Sequence, residues 1–348
     1  MLIRPVITAD LPQLLALADL LDTVNLPDDP KVVSGIIAGS MRAFAALAIS
    51  ATAERDPAFD HRHAHYTLVA VDDEGRLHGT ASLFAFHGMP EEPHYYLTVA
   101  HETVHSQQLN TDRSRTLLRL GRDVEPWTEL GGLVVHPDSR GKGVGKLLLA
   151  ARLLLVAMHP DRFCRRLLAE LLPPRREDGG NAFWDAVGGP LTGLDYYRAD
   201  LLCRTDKEFI EAFFPHDHLV AELLPPAARD LIGVEGPATT PVRKLLRRAG
   251  FTWLGTIDPF DAGPHDGAEV KDIIPLQQAR ELVLLDALPN GAASGPTTGS
   301  EPLQMIASVH DHHFTAMPCH VLNRGVRLAA PPGRLTPGDP LWVMPLSW

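Results

Sequence analysis

The stretch Trp127–Met158, WTELGGLVVHPDSRGKGVGKLLLAARLLLVAM, constrains the fold more than any other part of the chain. It reads as strand, glycine-rich turn and helix. Thr128–Val135 is a short, largely apolar run containing Gly131 and Gly132, and His136-Pro137-Asp138 breaks it. Arg140-Gly141-Lys142-Gly143-Val144-Gly145 follows, and Lys146–Met158 carries a strong apolar helical pattern. A strand that feeds glycines at a helix N-terminus makes an anion site. Unpaired N–H groups converge there and the helix dipole favours negative charge. Glycine also lets a phosphate approach the backbone without a Cβ in the way.

The turn lacks the GK[ST] ending of a Walker loop and the G-x-G-x-x-G of the dinucleotide fingerprint, and no acidic residue follows at the distance a ribose contact needs. Its Arg-x-x-Gly-x-Gly spacing after a strand resembles the pyrophosphate loop of the GNAT superfamily of N-acetyltransferases, which hold acyl-coenzyme A. That resemblance implies a cofactor site made of Arg140, Gly141, Lys142, Gly143, Val144 and Gly145, with Leu133 and Val135 on the strand before it.

A chain of 348 residues is long enough for two domains, or for one domain with a large addition. The formal charge of −11 argues against nucleic acid and anionic membrane surfaces as partners, while leaving room for a local basic pocket. Three cysteines, Cys164, Cys203 and Cys319, are an odd number without metal spacing, which fits a reduced, cytoplasmic compartment. Asp10 and Asp19 interrupt the first apolar pattern, so it does not read as a secretory signal. The longest apolar helix is interrupted by Arg152 and is too short to span a bilayer.

In chain order, Leu2–Val6 reads as a strand and Thr8 or Asp10 caps a helix whose buried stripe includes Leu11, Leu14, Leu15, Leu17 and Ala18. A loop at Asn25–Pro30 precedes a helix expected from Lys31 to Ala53. His65–Asp72, a turn at Asp73-Glu74-Gly75, and Leu77–His87 form a hairpin. His61, His63 and His65 alternate as on one face of a strand, and an exposed histidine-rich strand entry is preferred to a metal site. Tyr95–Val104 reads as a strand, whereas Ser106–Arg122 is polar and ambiguous. Arg166–Leu171 is a strand, Asn181 caps a short helix, and Thr239 or Thr240 caps another with Pro241 in its first turn and Gly250 at its end. Phe251–Ile257 is the next strand, and Thr315–Leu322, Gly325–Ala329 and Leu341–Pro345 follow between Pro/Gly turns. The expected class is α+β: a GNAT-like mixed, mostly antiparallel sheet flanked by helices, with a small C-terminal β-rich appendix. Residues 1–265 would form the acyl-CoA transferase region, as one body or two GNAT-like halves, and 266–348 the appendix.

Further pieces extend the resemblance: Ile3-Arg4-Pro5-Val6, Asn25-Leu26-Pro27, Glu129-Leu130 through Leu133, and Ala182-Phe183-Trp184-Asp185-Ala186-Val187-Gly188. Ala199-Asp200-Leu201, Phe209-Ile210-Glu211-Ala212, Ile232-Gly233, Ala249-Gly250-Phe251 and Asp258-Pro259-Phe260-Asp261-Ala262-Gly263-Pro264 follow, then His312-His313-Phe314. In this order the chain resembles the arginine N-succinyltransferase family over nearly its whole length. The resemblance implies transfer of a succinyl group from succinyl-CoA to the α-amino group of arginine or ornithine in arginine degradation, with Leu133 as a succinyl-CoA contact. It also implies a proton-donating histidine shortly after the Ile-Gly pair, where this chain has Gly236. The alternatives are another acyl-CoA or amine acceptor, and a CoA-binding subunit without catalysis. Assembly with itself or with another chain stays open.

Amine acylation needs a neutral nucleophile, a polarised thioester carbonyl and an acid for the departing thiolate. An α-amino group has a pKa of about 8, so a modest base suffices. Glu129 is the base candidate, and a strand splayed at Gly131 and Gly132 would offer N–H groups to the oxyanion. Tyr196 and Tyr197 are the acid candidates, by analogy with tyrosines after the fifth strand of related folds. Arg175 and Arg176 would suit an acidic acyl group, although a solvated loop is the plainer reading. No metal is expected: His310, His312, His313, Cys319 and His320 lack paired chelating spacing.

Overall fold

The computed structural model describes residues 1–21, 26–48, 59–176, 178–203, 207–284, 303–310, 313–320 and 338–348. They divide into two compact units. One comprises Met1–Phe86, Thr128–Arg165 and Glu269–Trp348; the other comprises His87–Trp127 and Arg166–Ala268.

The first unit holds a sheet of antiparallel neighbours in the order Arg280–Val283, Pro340–Pro345, Leu303–His310, His313–His320, Leu2–Pro5, His65–Val71 and Leu77–His87. Val134–Val135 pairs with the last of these through Gly79 and Thr80. The central helix, Val144–Met158, packs on this sheet. Leu148, Leu149, Leu153, Leu154 and Leu155 are almost entirely enclosed. Each contributes roughly 2 kcal/mol of apolar burial, and a helix apolar all round has to lie inside. Helices Leu11–Leu21 and Pro30–Ala48 bury Leu14, Leu17, Val33 and Ile37 against Val69, Val71, Leu77 and Val134. The N-cap is Ile7, neither Thr8 nor Asp10: Asp10 sits at the third position of the first turn and reaches back, its Oδ2 accepting from Ile7 N at 2.9 Å while both oxygens hold Arg4. The second helix starts at Pro30, and its expected end at Ala53 lies outside the described residues.

The C-terminal strands are built into this sheet, with Ile3 opposite Ala316. Met305, Ile306, Phe314, Ala316, Val343 and Met344 are buried, and so few strands standing alone would leave that apolar face in water. Gly325–Ala329 lies outside the described residues. His61–His63 is a one-turn helix capped by Asp60, which corrects the expected strand entry: Asp60 Oδ1 accepts from Arg62 N at 2.9 Å and so curls the backbone.

In the second unit the strand order is Arg166–Glu170, Pro264–Glu269, Thr252–Ile257, His94–Ser106, Thr111–Asp123 and Leu219–Val220. The ambiguous stretch Ser106–Arg122 is therefore mostly a strand. It forms a hairpin of two thirteen-residue strands with His94–Ser106, paired from His94–Asp123 to Ser106–Thr111. Short helices surround an aromatic core in which Trp184 stacks on Phe260 at 4.7 Å, beside Phe183, Phe209 and Phe214. Asn181 caps as expected, its Oδ1 accepting from Phe183 N and Trp184 N at 2.8 and 3.1 Å. Helix Thr240–Ala249 begins with Pro241 and ends at Gly250 with φ +105°. Neither threonine caps it through its side chain. Thr239 and Thr240 instead donate their hydroxyls to Gly236 O, and Thr239 also to Leu172 O at 2.6 Å.

Candidate functional site

The strand that leads to the glycine turn is splayed. It runs as strand through Glu129 and resumes at Val134, with Gly132 at φ +58° between. Gly131 has to be glycine, because a Cβ there would sit 2.7 Å from Phe84 Cε2 and 2.8 Å from Glu129 Oε1. Its carbonyl accepts from Ser82 N at 2.9 Å and from Arg152 Nη1 at 3.2 Å. Arg152, on the central helix and only 2% exposed, also donates to Ser82 O. Burial pulls its guanidinium down to about 9, opposed by the charge of Glu129.

The turn itself is anchored from behind and open in front. Ser139, buried just before it, meets His78 Nδ1 at 2.7 Å, and His78 Nε2 meets Asp72 Oδ2 at 3.0 Å. Gly141 and Gly143 take φ of +75° and +83°, and a Cβ at either would meet nothing within 4 Å. Gly143 forms the N-cap of the central helix. Arg140, Gly141, Lys142 and Gly143 are exposed, Val144 is buried beneath them, and Gly145 packs beside Val135. Such a turn can receive a diphosphate on main-chain amides at the positive end of a helix, with two cationic side chains alongside.

Of the residues named from sequence, Glu129, Leu133, Val135 and Arg140–Gly145 fall in the first unit; Leu133 and Val135 are half-buried. Tyr196 and Tyr197 fall in the second. Tyr197 is 66% exposed. Burial, then the charges of Asp261 and Asp258, push the Tyr196 phenol well above its usual range, which keeps it protonated and makes it a poorer acid. At Gly236 a Cβ would lie 2.6 Å from Pro173 O, so a histidine there requires the backbone to move. Arg176 is held by Asp178 of its own loop and by Asp185 on the helix Ala182–Ala186, both at 2.7 Å. The cysteines form no disulfide and are half-buried; Cys164 Sγ lies 3.6 Å from Ala85 O. His312 lies outside the described residues.

The second unit contains a group that sequence reasoning missed. His94, 4% exposed, places Nδ1 3.2 Å from Asp123 Oδ2 and Nε2 3.0 Å from Glu170 Oε1. His87 Nε2 is 3.5 Å from the same Glu170 oxygen. His265 is wholly buried, with Nδ1 3.2 Å from Thr256 Oγ1 and its ring 5.1 Å from that of His94. Asp258 Oδ1 accepts from Phe260 N and Asp261 N. Burial works against the charge on His94, but Asp123 and Glu170 outweigh it and raise the imidazole to about 9. Burial would raise Glu170, yet His87 and His94 hold it well below its usual value. Burial and the charge of Glu170 push Asp258 up to about 6, while burial brings His265 down to about 3. The members are spread from position 87 to 265, so no local spacing announces them. Only Asp258-Pro259-Phe260-Asp261 stood out, as a family-like piece without a role.

A splayed strand running into an open glycine turn at a helix N-terminus, on a mostly antiparallel sheet, is the arrangement expected of an acyltransferase. Residues 1–275 match the model of the arginine N-succinyltransferase beta subunit family, and the chain belongs to that family. It is 32% identical to the arginine N-succinyltransferase subunit beta of Pseudomonas aeruginosa, with 84% of each chain covered. It is 28% identical to the arginine N-succinyltransferase of an Enterobacter species, over 92% of this chain and 89% of that one. The structure of arginine/ornithine succinyltransferase subunit AI from Pseudomonas aeruginosa superposes with a TM-score of 0.79 at 25% identity, covering 100% of this chain and 99% of that one. Among the described residues, no helix is long and apolar enough to cross a membrane.

Proposed function

We propose that the chain transfers a succinyl group from succinyl-CoA to the α-amino group of L-arginine or ornithine, as a subunit that assembles with itself or with a related chain. The family match over residues 1–275 carries the reading, and the open turn at Gly141 and Gly143 supports it. In this proposal the amides and cations of Arg140–Gly145 take the diphosphate, and Leu133 and Val135 line the path of the pantetheine arm. Glu129 draws a proton from the ammonium directly or through water, so that the free amine attacks the thioester carbon. The carbonyl oxygen gains charge as the C–N bond forms, and N–H groups of the splayed segment stabilise it. The C–S bond then breaks, the attacking nitrogen gives its second proton to water to become the amide, and the thiolate, whose pKa is about 8.5 as for an ordinary thiol, needs only a weak acid or water.

Release of free thiol from succinyl-CoA in the presence of arginine or ornithine tests the reading. Glu129→Gln should lower kcat about 100- to 1,000-fold, within the range of general acid–base effects. Gly143→Glu should abolish CoA binding, since it puts bulk and negative charge where the diphosphate would sit. The crowding at Gly236 favours one second reading, a subunit that binds CoA without turnover. That protein would bind CoA by calorimetry and release no thiol with any acceptor.

A further inference from the structure

We propose that the His87–His94–Glu170–His265 cluster of the second unit is a site for a divalent transition-metal ion of the zinc class, with Asp258 as a further oxygen donor. The ligand atoms of His87, His94 and Glu170 lie within 4.8 Å of one another, as do those of Glu170, Asp258 and His265, and Glu170 belongs to both sets. Zinc binds imidazole and carboxylate at about 2.0–2.2 Å, which makes the edge of its tetrahedron about 3.3–3.5 Å. His94 Nε2 and His87 Nε2 stand 3.0 and 3.5 Å from Glu170 Oε1, so the donors are already near ligand spacing.

The surroundings match what such a site requires. His94 turns Nδ1 toward Asp123 Oδ2, itself bonded by Trp127 Nε1 at 3.1 Å, and this leaves Nε2 facing Glu170. His265 turns Nδ1 toward Thr256 Oγ1. A carboxylate or hydroxyl behind each imidazole fixes ring orientation and directs the other nitrogen to a metal. The independent observation is His265 Nε2, which is fully buried and makes no hydrogen bond. A buried polar atom without a partner is costly, and a metal–nitrogen bond removes that cost. Asp123, Glu170, Asp258 and Asp261 also concentrate carboxylates around the imidazoles, an arrangement that a dication balances. The Glu170 and His87 side chains keep 29% and 19% of their surface exposed, which provides an entry path. Glu170, His94 and His265 lie on three different strands, Arg166–Glu170, His94–Ser106 and Pro264–Glu269, so a bound ion would staple them together.

The test uses the full chain, stripped with a chelator and titrated with zinc chloride by calorimetry, with cobalt(II) absorption as a report of coordination. The expected result is a single equivalent bound with a Kd below about 1 μM, accompanied by visible cobalt bands of low symmetry. Glu170→Gln should weaken binding at least about 100-fold, and Asp123→Asn, behind a ligand, about 10-fold. His265→Gln should weaken binding in the same direction, and it decides the matter if Glu170→Gln does not fold. His105→Ala, on the exposed hairpin, should change nothing. No saturable zinc binding, or an affinity unchanged from the parent in both the Glu170→Gln and His265→Gln proteins, overturns the proposal. L-arginine serves as a second probe: binding of arginine but not zinc, lost in Glu170→Gln, would make the cluster an organic-cation site and equally overturn it. The proposal does not rest on the acyl-transfer reading, because each measurement is made without acyl-CoA.

Discussion

The two units each bury an arginine, and they solve the problem in opposite ways. In the second unit Arg243, 4% exposed, meets Asp266 through two nitrogens at 2.9 and 3.0 Å and Glu235 at 2.6 Å. Burial alone would lower its pKa, and the two carboxylates raise it instead. In the first unit Arg152 is as deeply buried, but its hydrogen bonds go to two carbonyls and its Nε has no hydrogen-bond partner. One guanidinium is neutralised and locks a helix to a strand. The other is left poorly compensated under the splayed segment that carries Glu129. Buried charge is tolerated without full pairing where it holds a backbone shape that an apolar side chain cannot hold.

This contrast can be broken by mutation. Arg243→Ala strands Asp266, which is wholly enclosed, and should cost about 3–5 kcal/mol in urea unfolding. Arg152→Met removes a charge that two carbonyls and the nearby charge of Glu129 compensate only in part. It should cost only about 1–2 kcal/mol, the scale of lost hydrogen bonds to carbonyls. Its signature lies elsewhere, in a fall of about 10- to 100-fold in kcat as the splayed strand loses its register, with CoA affinity little changed. Equal stability losses for the two variants would remove the distinction. Asn181→Ala, which unmakes a cap without touching either arginine, should cost about 1 kcal/mol and leaves the contrast intact.

The smallest effect is in the acid limb of stability. Burial would raise Glu235, but its bond to Arg243 leaves the folded pKa below the usual glutamate value of 4.5. The group therefore contributes stability that is present above pH 4.5 and is lost as pH falls through the lower folded value. Urea midpoints between about pH 3 and 6 should fall less steeply in Arg243→Ala than in the parent, while Arg152→Met should keep the parent's slope. Parallel curves for all three proteins would show that Glu235 draws nothing from its arginine.

Features with a local cause were readable in the chain. The hairpin His65–Val71 and Leu77–His87, the Asn181 cap, Pro241 with Gly250, and the strand–turn–helix at 127–158 each depend on neighbours a few residues away. Thr111–Asp123 was not readable for a physical reason. Its burial pattern shows no alternation, because the hairpin projects polar side chains on both faces and is held mainly by its backbone ladder. The alternating His61, His63 and His65 misled because a single side chain, Asp60, turned the backbone before the strand began. Arg152 was visible only as an interruption in an apolar helix.

Sequence by itself determined the glycine turn and its helix, since positive φ and an N-terminal row of amides follow from residue type and order. It also carried the family, through short pieces kept in sequence along the chain. Tertiary structure alone decided that the C-terminal strands complete the sheet beside Leu2–Pro5, that Arg243 finds Asp266, and that His87, His94, Glu170 and His265 converge. These outcomes depend on burial and charge between residues far apart in sequence. Such energies exist only once the strands have been placed side by side.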